Sequence, residues 1–178
     1  MNHSIYSKAR KIKVVLFDVD GVLTDGGIIY NNDGMEYKRF HVRDGQIIRF
    51  LKESNITVGA ITGRNSKVVK NRCEELKLDF HYHGAKNKLD IYKKIKLDHK
   101  AADDEVCFIG DDVIDLPILS MVGLAATPQD APSYMDKYVD YRCETKGGYG
   151  VLREVADLIL LSQGKLHDIL DRMATKGE

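Results

Sequence analysis

Val14, Val15, Leu16 and Phe17 form an unbroken apolar run that ends directly in Asp18-Val19-Asp20-Gly21. A strand that is apolar at every position needs cover on both faces, which is the situation of a central strand in a parallel sheet. The run, taken as Lys13 to Val19, therefore predicts such a strand. Thr57 to Ile61, Phe80 to His83, Glu105 to Ile109 and Gly123 to Ala126 are further short β-prone runs. Between them, apolar residues recur at helical spacing: Ile47, Ile48 and Leu51; Val68, Val69, Cys73 and Leu76; Leu89, Tyr92 and Ile95. Alternating strands and helices predict an α/β fold, a doubly wound (Rossmann-like) parallel sheet with helices on both faces.

The 178 residues are expected to form one domain. Gly26 to Tyr30 and Glu36 to Val42 flank the polar, glycine-ended Asn31-Asn32-Asp33-Gly34, so a β-hairpin flap is expected over about 27–42. No insertion is large enough for a cap domain. Asp44 is expected to cap a helix running to Ser54, and Ile114 to Met121 to form a short helix. Gly147-Gly148-Tyr149-Gly150 reads as a flexible joint before a last helix, Val151 to Leu161. Residues after Leu170 are expected to fray, making 146–178 a flexible C-terminal tail.

Lys+Arg and Asp+Glu both number 27, so net charge gives no case for nucleic acid or an anionic membrane as partner. Cys73, Cys107 and Cys143 are odd in number and widely spaced, which reads as free thiols in a reducing compartment. Met1 to Lys13 is polar, and no apolar run reaches transmembrane length. The expectation is a cytoplasmic protein.

The chemistry is expected where two apolar strands end in acids. Asp18 and Asp20 sit one residue apart, and residues two apart on a strand share a face. Gly110-Asp111-Asp112-Val113-Ile114-Asp115 ends another strand. Ligands of open α/β sheets bind outside the carboxyl ends of the strands, and carboxylates gathered there suit a hard cation such as Mg²⁺. Thr62, Gly63 and Arg64 end the second strand, and Lys88 opens a helix. A hydroxyl, main-chain amides and an ammonium suit phosphoryl oxygens.

Asp18-Val19-Asp20-Gly21, Ile61-Thr62-Gly63, Lys88 and Gly110-Asp111-Asp112, in this order, resemble the motifs of the haloacid dehalogenase superfamily of phosphatases. The resemblance implies that Asp18 attacks phosphorus to form an aspartyl-phosphate and that Asp20 acts as general acid, then base. It implies Mg²⁺ on Asp18, Asp111 and the Asp20 main-chain carbonyl, with Asp112 or Asp115 orienting metal-bound water or Lys88. Thr62 and Lys88 then grip the transferred group.

Asp20 through Gly26, then Tyr30, Gly34, Glu36, Lys38, Phe40, Asp44 and Gly45, and Gly147 through Val155, look like the capless subgroup. Within it the chain is most similar to the 3-deoxy-D-manno-octulosonate 8-phosphate phosphatases of lipopolysaccharide synthesis. That implies a small phosphorylated sugar acid as substrate and a homotetramer whose hairpins line neighbouring sites, which the tail can also reach. Asp25, Thr62, Gly63, Arg64 and Lys88 are the expected substrate contacts, with Arg64 suited to the substrate carboxylate. The alternatives are a phosphatase of nine-carbon keto-sugar acids or another small metabolite, and a non-catalytic oligomerisation module of a sugar-nucleotide pathway.

Outside these motifs the signals are weaker. The lysines around Lys88 (Lys86, Lys93, Lys94 and Lys96) read as a solvated helix face. His81 and His83 can face one side of a strand, but no third ligand of suitable spacing accompanies them, so zinc is not expected. His41 has no role the sequence decides.

Overall fold

The computed structural model describes residues 3–176. In chain order these form α1 (His3–Ala9), β1 (Val14–Phe17), a hairpin of β2 (Ile29–Tyr30) and β3 (Glu36–Tyr37), α2 (Val42–Glu53), β4 (Thr57–Ile61), α3 (Lys67–Glu75), β5 (Phe80–Tyr82) and α4 (Lys88–His99). There follow β6 (Val106–Ile109), α5 (Leu116–Leu119), β7 (Leu124–Thr127), β8 (Tyr141–Arg142), α6 (Val151–Ser162) and α7 (Leu166–Lys176).

Six strands make one sheet in the order β5-β4-β1-β6-β7-β8, every pair parallel. Val14 of β1 pairs with Thr57 on one side and Val106 on the other. From β1 the chain winds outward through β4 and β5, then crosses back to β6 and winds the other way. The reversal opens a crevice at the carboxyl ends of β1 and β6, where α/β proteins of this kind bind ligands.

β1 is buried throughout because both faces are covered. Val15 and Phe17 join a core with Ile47, Ile48 and Leu51 of α2, Val69 and Cys73 of α3, and Val151, Leu152 and Val155 of α6. Val14 and Leu16 join the opposite core with Tyr92 and Ile95 of α4 and Ile118 and Leu119 of α5. Among the described residues the only structure inserted between β1 and α2 is the hairpin, with no separate cap domain. The fold is thus the doubly wound α/β sheet with a flap.

Several local expectations need correction. β1 ends at Phe17, so Asp18 and Asp20 lie on the turn beyond it; the Asp18 N–H still donates to the Ile109 carbonyl at 2.9 Å, after which the chain curls so that the Leu23 N–H meets the Val19 carbonyl at 2.9 Å. Asp44 does not cap its own helix. His41 does so, its Nδ1 accepting the Arg43 N–H, while Asp44 Oδ1 accepts the Arg153 N–H at 2.8 Å at the start of α6. The segment expected as a flexible tail carries α6 and α7, and seven residues of α6 are buried. α1 and β8 have too few residues to show a period in sequence. Within the described residues no helix is long and apolar enough to cross a membrane.

Candidate active site

Asp18 leaves β1 pointing into the crevice and is nearly fully buried. Its Oδ1 accepts its neighbour's amide, the Val19 N–H, at 2.7 Å, and its Oδ2 lies 2.8 Å from Lys88 Nζ. Lys88 opens α4 and reaches across the end of the sheet; the same ammonium donates to Asp115 Oδ1 at 2.7 Å. Asp115 Oδ2 accepts the Asp111 N–H at 3.2 Å. Asp115 is therefore committed at both oxygens and holds Lys88 in place.

Asp111 completes the cluster. Carboxylate oxygens of Asp18, Asp111 and Asp115 lie within 4.8 Å of one another. This convergence depends on Gly21, which has φ +86°: a Cβ there would lie 2.0 Å from Asp111 Oδ2. Only glycine both accepts that backbone angle and leaves room for the acid.

Burial pushes the Asp18 carboxyl up to about 7, against the pull of Lys88. Burial and the charges of Asp18 and Asp115 push Asp111 up to about 8. Burial opposes the Lys88 charge, but Asp18 and Asp115 outweigh it and hold the ammonium above its ordinary value. One ammonium among three acids leaves excess negative charge in a poorly solvated place. Oxygen donors so arranged fit Mg²⁺, which relieves the repulsion.

Asp20 is engaged by the hairpin and by Arg64. Its carboxylate ion-pairs with Lys38 of the hairpin and lies 3.8 Å from Arg64 Nε. Arg64 donates to Glu36 Oε1 at 2.8 Å and to the Tyr30 hydroxyl at 3.1 Å. Ser66 holds the other oxygen of Glu36, and that hydroxyl, then Lys38 and Arg64, keeps Glu36 below the usual carboxylate range. Glu36 and Lys38 were missed as site residues in the sequence, although both fall in the run that resembles the capless subgroup. Their contact with Asp20 and Arg64 requires the hairpin to fold back over the sheet, which no local pattern announces.

Asp18, Asp20, Gly21, Thr62, Gly63, Arg64, Asp111 and Asp112 line an open cavity of about 230 Å³. Thr62 is buried beneath it, its hydroxyl accepting the Arg64 N–H at 3.3 Å. Asp112 caps the turn that follows, accepting the Val113 N–H at 2.7 Å and the Tyr134 hydroxyl at 3.3 Å. Asp25, expected against substrate, is outside the lining; it accepts the Gly27 N–H at 3.1 Å and pairs with Arg39 at 3.0 Å. The glycine-rich joint is packed, not loose: the Gly148 N–H donates to the Val22 carbonyl at 3.0 Å. A larger groove of about 700 Å³ lies among Lys11, Lys13, Asp104 and Glu105 at the other end of the sheet, where these charges neutralise one another in pairs.

A doubly wound sheet without a cap, carrying paired acids, a threonine and a buried lysine at its switch point, defines a phosphatase of the haloacid dehalogenase superfamily, to which its solved structural neighbours belong. No protein-family model matches the chain. A curated relative from Salmonella typhi, 3-deoxy-D-manno-octulosonate 8-phosphate phosphatase KdsC, is 43% identical over 164 residues, covering 92% of this chain and 87% of the relative. The crystal structure of the Yersinia pestis phosphatase of the same name superposes with TM-score 0.92 at 40% identity, over 94% of this chain and 90% of that one. The Moraxella catarrhalis enzyme, crystallised with a magnesium ion, a phosphate ion and a KDO molecule, superposes with TM-score 0.94 at 34% identity, over 97% and 99% of the two chains. The chain belongs to the 3-deoxy-D-manno-octulosonate 8-phosphate phosphatase family.

Proposed function

We propose that this protein hydrolyses 3-deoxy-D-manno-octulosonate 8-phosphate to the free sugar acid and inorganic phosphate, in the cytoplasmic supply of lipopolysaccharide precursors. The observation that carries the reading is the convergence of Asp18, Asp111, Asp115 and Lys88 beside an open cavity in a member of this family. The three free, buried cysteines are in keeping with a reducing compartment.

Asp18, Asp111 and the Asp20 main-chain carbonyl would hold Mg²⁺, which would supply neutralising charge to the phosphoryl oxygens. Asp115 stays on Lys88 because both its oxygens are engaged. Asp18 attacks phosphorus with a carboxylate oxygen and displaces the sugar alkoxide, giving an aspartyl-phosphate. Asp20 gives that alkoxide a proton, then takes one from the water that cleaves the intermediate. Lys88 and Thr62 hold the phosphoryl oxygens in line, the positioning on which such transfers depend. Asp112 stands at the cavity wall, where it would orient incoming water. The substrate carboxylate replaces Glu36 on the Arg64 guanidinium by paired hydrogen bonds, with the Gly63 main chain beside it.

The hairpin exposes Ile28, Ile29, Tyr30, Met35 and Tyr37 in one place. Apolar surface of this kind, next to an uncapped site, favours a homotetramer in which hairpins of neighbouring chains shield the cavity. Sedimentation of an Ile29→Asp variant as a smaller species is the expected result.

Phosphate release from a panel of eight-carbon, nine-carbon and simple sugar phosphates, with and without chelator, tests the function. Preference for the eight-carbon acid and loss of turnover on chelation are expected. Equal turnover of nine-carbon acids defeats the substrate assignment, and turnover that survives full chelation defeats the metal.

A further inference from the structure

The second cluster of metal-ligating side chains lies away from the acids, on the edge of the sheet. His81 and His83 are two apart at β5 and share one face, since Phe80 and Tyr82, which alternate with them, pack toward the α4 side. Across from them α3 presents Cys73, which is buried. One donor atom from each of Cys73, His81 and His83 lies within 4.8 Å of the other two. His81 Nδ1 and His83 Nε2 are 2.8 Å apart, with the rings edge to face at 72°. His83 Nδ1 is buried and has no hydrogen-bond partner, so nothing else fixes that ring.

We infer that Cys73, His81 and His83 form a binding site for a zinc-like transition-metal ion, separate from the acidic cluster and structural in purpose. Sulfur and imidazole donors select zinc or cobalt and reject magnesium, which takes oxygen ligands. In a tetrahedral zinc site, bond lengths of about 2.0–2.3 Å place neighbouring donors roughly 3.3–3.6 Å apart. The two imidazole nitrogens stand 2.8 Å apart and all three donors fall within 4.8 Å of one another, so shifts of about an ångström complete the site. Both histidines are half-buried, which leaves the fourth position to water. On binding, the Cys73 thiol gives its proton to solvent and the sulfur bonds the ion as thiolate.

The placement gives the ion a task. β5 has three residues and a single strand neighbour, β4, and such an edge is weakly held. An ion shared by α3 and β5 ties it down. The turn after His83 is also joined to the active-site loop: the Gly84 N–H donates to the Arg64 carbonyl at 3.1 Å and the Ala85 N–H to the Thr62 carbonyl at 3.0 Å.

The test uses the full chain, stripped by chelation, returned to excess Mg²⁺ to fill the acidic cluster, and titrated with Co²⁺. A sulfur-to-cobalt charge-transfer band in the near ultraviolet, saturating at one equivalent and displaced by Zn²⁺, is expected. Cys73→Ser should lose the band, and His83→Gln should weaken Zn²⁺ binding by at least about 100-fold, the upper end of what loss of an outer partner alone does. Absence of the band in the unmodified protein, or its persistence in Cys73→Ser, overturns the site and leaves a hydrogen-bonded histidine pair over a core thiol. If Cys73→Ser does not fold, His83→Gln carries the test, and unchanged Zn²⁺ affinity in it is equally fatal. None of these readouts depends on the phosphatase reaction.

Discussion

Lys88 and Asp18 are 2.8 Å apart in the same buried cluster, yet their removal has opposite physical meaning. Replacing Lys88 by Met leaves Asp18 and Asp115 without their shared counter-charge, and breaking a buried pair in this way costs about 3–5 kcal/mol. Asp18→Asn removes one of the crowded negative charges and keeps an oxygen for the Val19 N–H. Urea unfolding should therefore find Asp18→Asn near the stability of the unmodified protein, with phosphate release abolished, while Lys88→Met loses both. A Lys88→Met protein as stable as its parent contradicts the assignment of Lys88 as the buried counter-ion. Asp44 makes a second case at this scale. It is buried with Oδ2 unpartnered, and burial pushes its carboxyl up to about 6. An aspartate that folding raises from its ordinary value near 3.9 stabilises the fold most below that value, and the contribution is lost as pH rises through about 6. In Asp44→Asn the loss disappears. Its stability advantage over the parent should grow between about pH 4 and 6 and reach the order of 1–3 kcal/mol at neutral pH, read from urea midpoints across that window.

At the scale of elements, the joint between β8 and α6 shows how catalytic geometry is stored in packing. A Cβ on Gly147 would lie 2.1 Å from the Gly21 carbonyl oxygen, and one on Gly148 2.5 Å from the Asp25 amide nitrogen. The turn that carries Asp20 is thus seated on bare main chain. Gly147→Ala must displace that turn from its place beside Asp111. Overpacking of this kind costs about 1–3 kcal/mol, and a displacement near 1 Å can lower turnover by about 100-fold. Paired measurement of kcat and unfolding midpoint should find both losses, with turnover falling further than stability alone explains. Sequence spoke clearly where the signal was local. β4 falls on its expected Thr57–Ile61, where β-branched Thr57, Val58 and Ile61 lead into Thr62-Gly63, and α3 is opened by its Ser66 cap. The acids at the ends of β1 and β6 were legible because a carboxylate beside an apolar strand has no structural reason to be there. What the sequence withheld is pairing at a distance. Asp44 caps a helix 109 residues further on, Lys38 meets Asp20 only when the hairpin folds back, and Asp25 turns outward to Arg39. Cys73 likewise reaches the histidines only through the packing of α3 on β5. Such contacts are set by sheet order and helix docking, which periodicity does not encode.

For the whole molecule, the switch point of the sheet is where negative charge is concentrated, and this ties the stability of the fold to both protons and metal. Without a divalent ion, burial and mutual repulsion hold Asp18 and Asp111 up at about 7 and 8. Each is an acid whose value folding raises, so each stabilises the fold most when protonated. That stabilisation is complete below about 3.9 and is withdrawn as pH rises through 7 to 8. Metal-free protein should therefore weaken across the neutral range. Mg²⁺ competes with those protons for the same oxygens, so its affinity, and with it the stabilisation it confers, must rise over the same interval. At a concentration about 100 times its dissociation constant, a bound ion adds roughly 2.7 kcal/mol. Scanning calorimetry with Mg²⁺ and with chelator, at pH steps from about 5.5 to about 9, spanning both carboxyls, should give a Mg²⁺-induced rise in Tm that is small at the acid end and grows steadily. Asp111→Asn should flatten that growth, because one of the two titrating oxygen donors is gone. A Mg²⁺ effect that is constant with pH, or largest in acid, means that protons and metal do not compete at this cluster. In that case Asp18 and Asp111 are not where the ion binds.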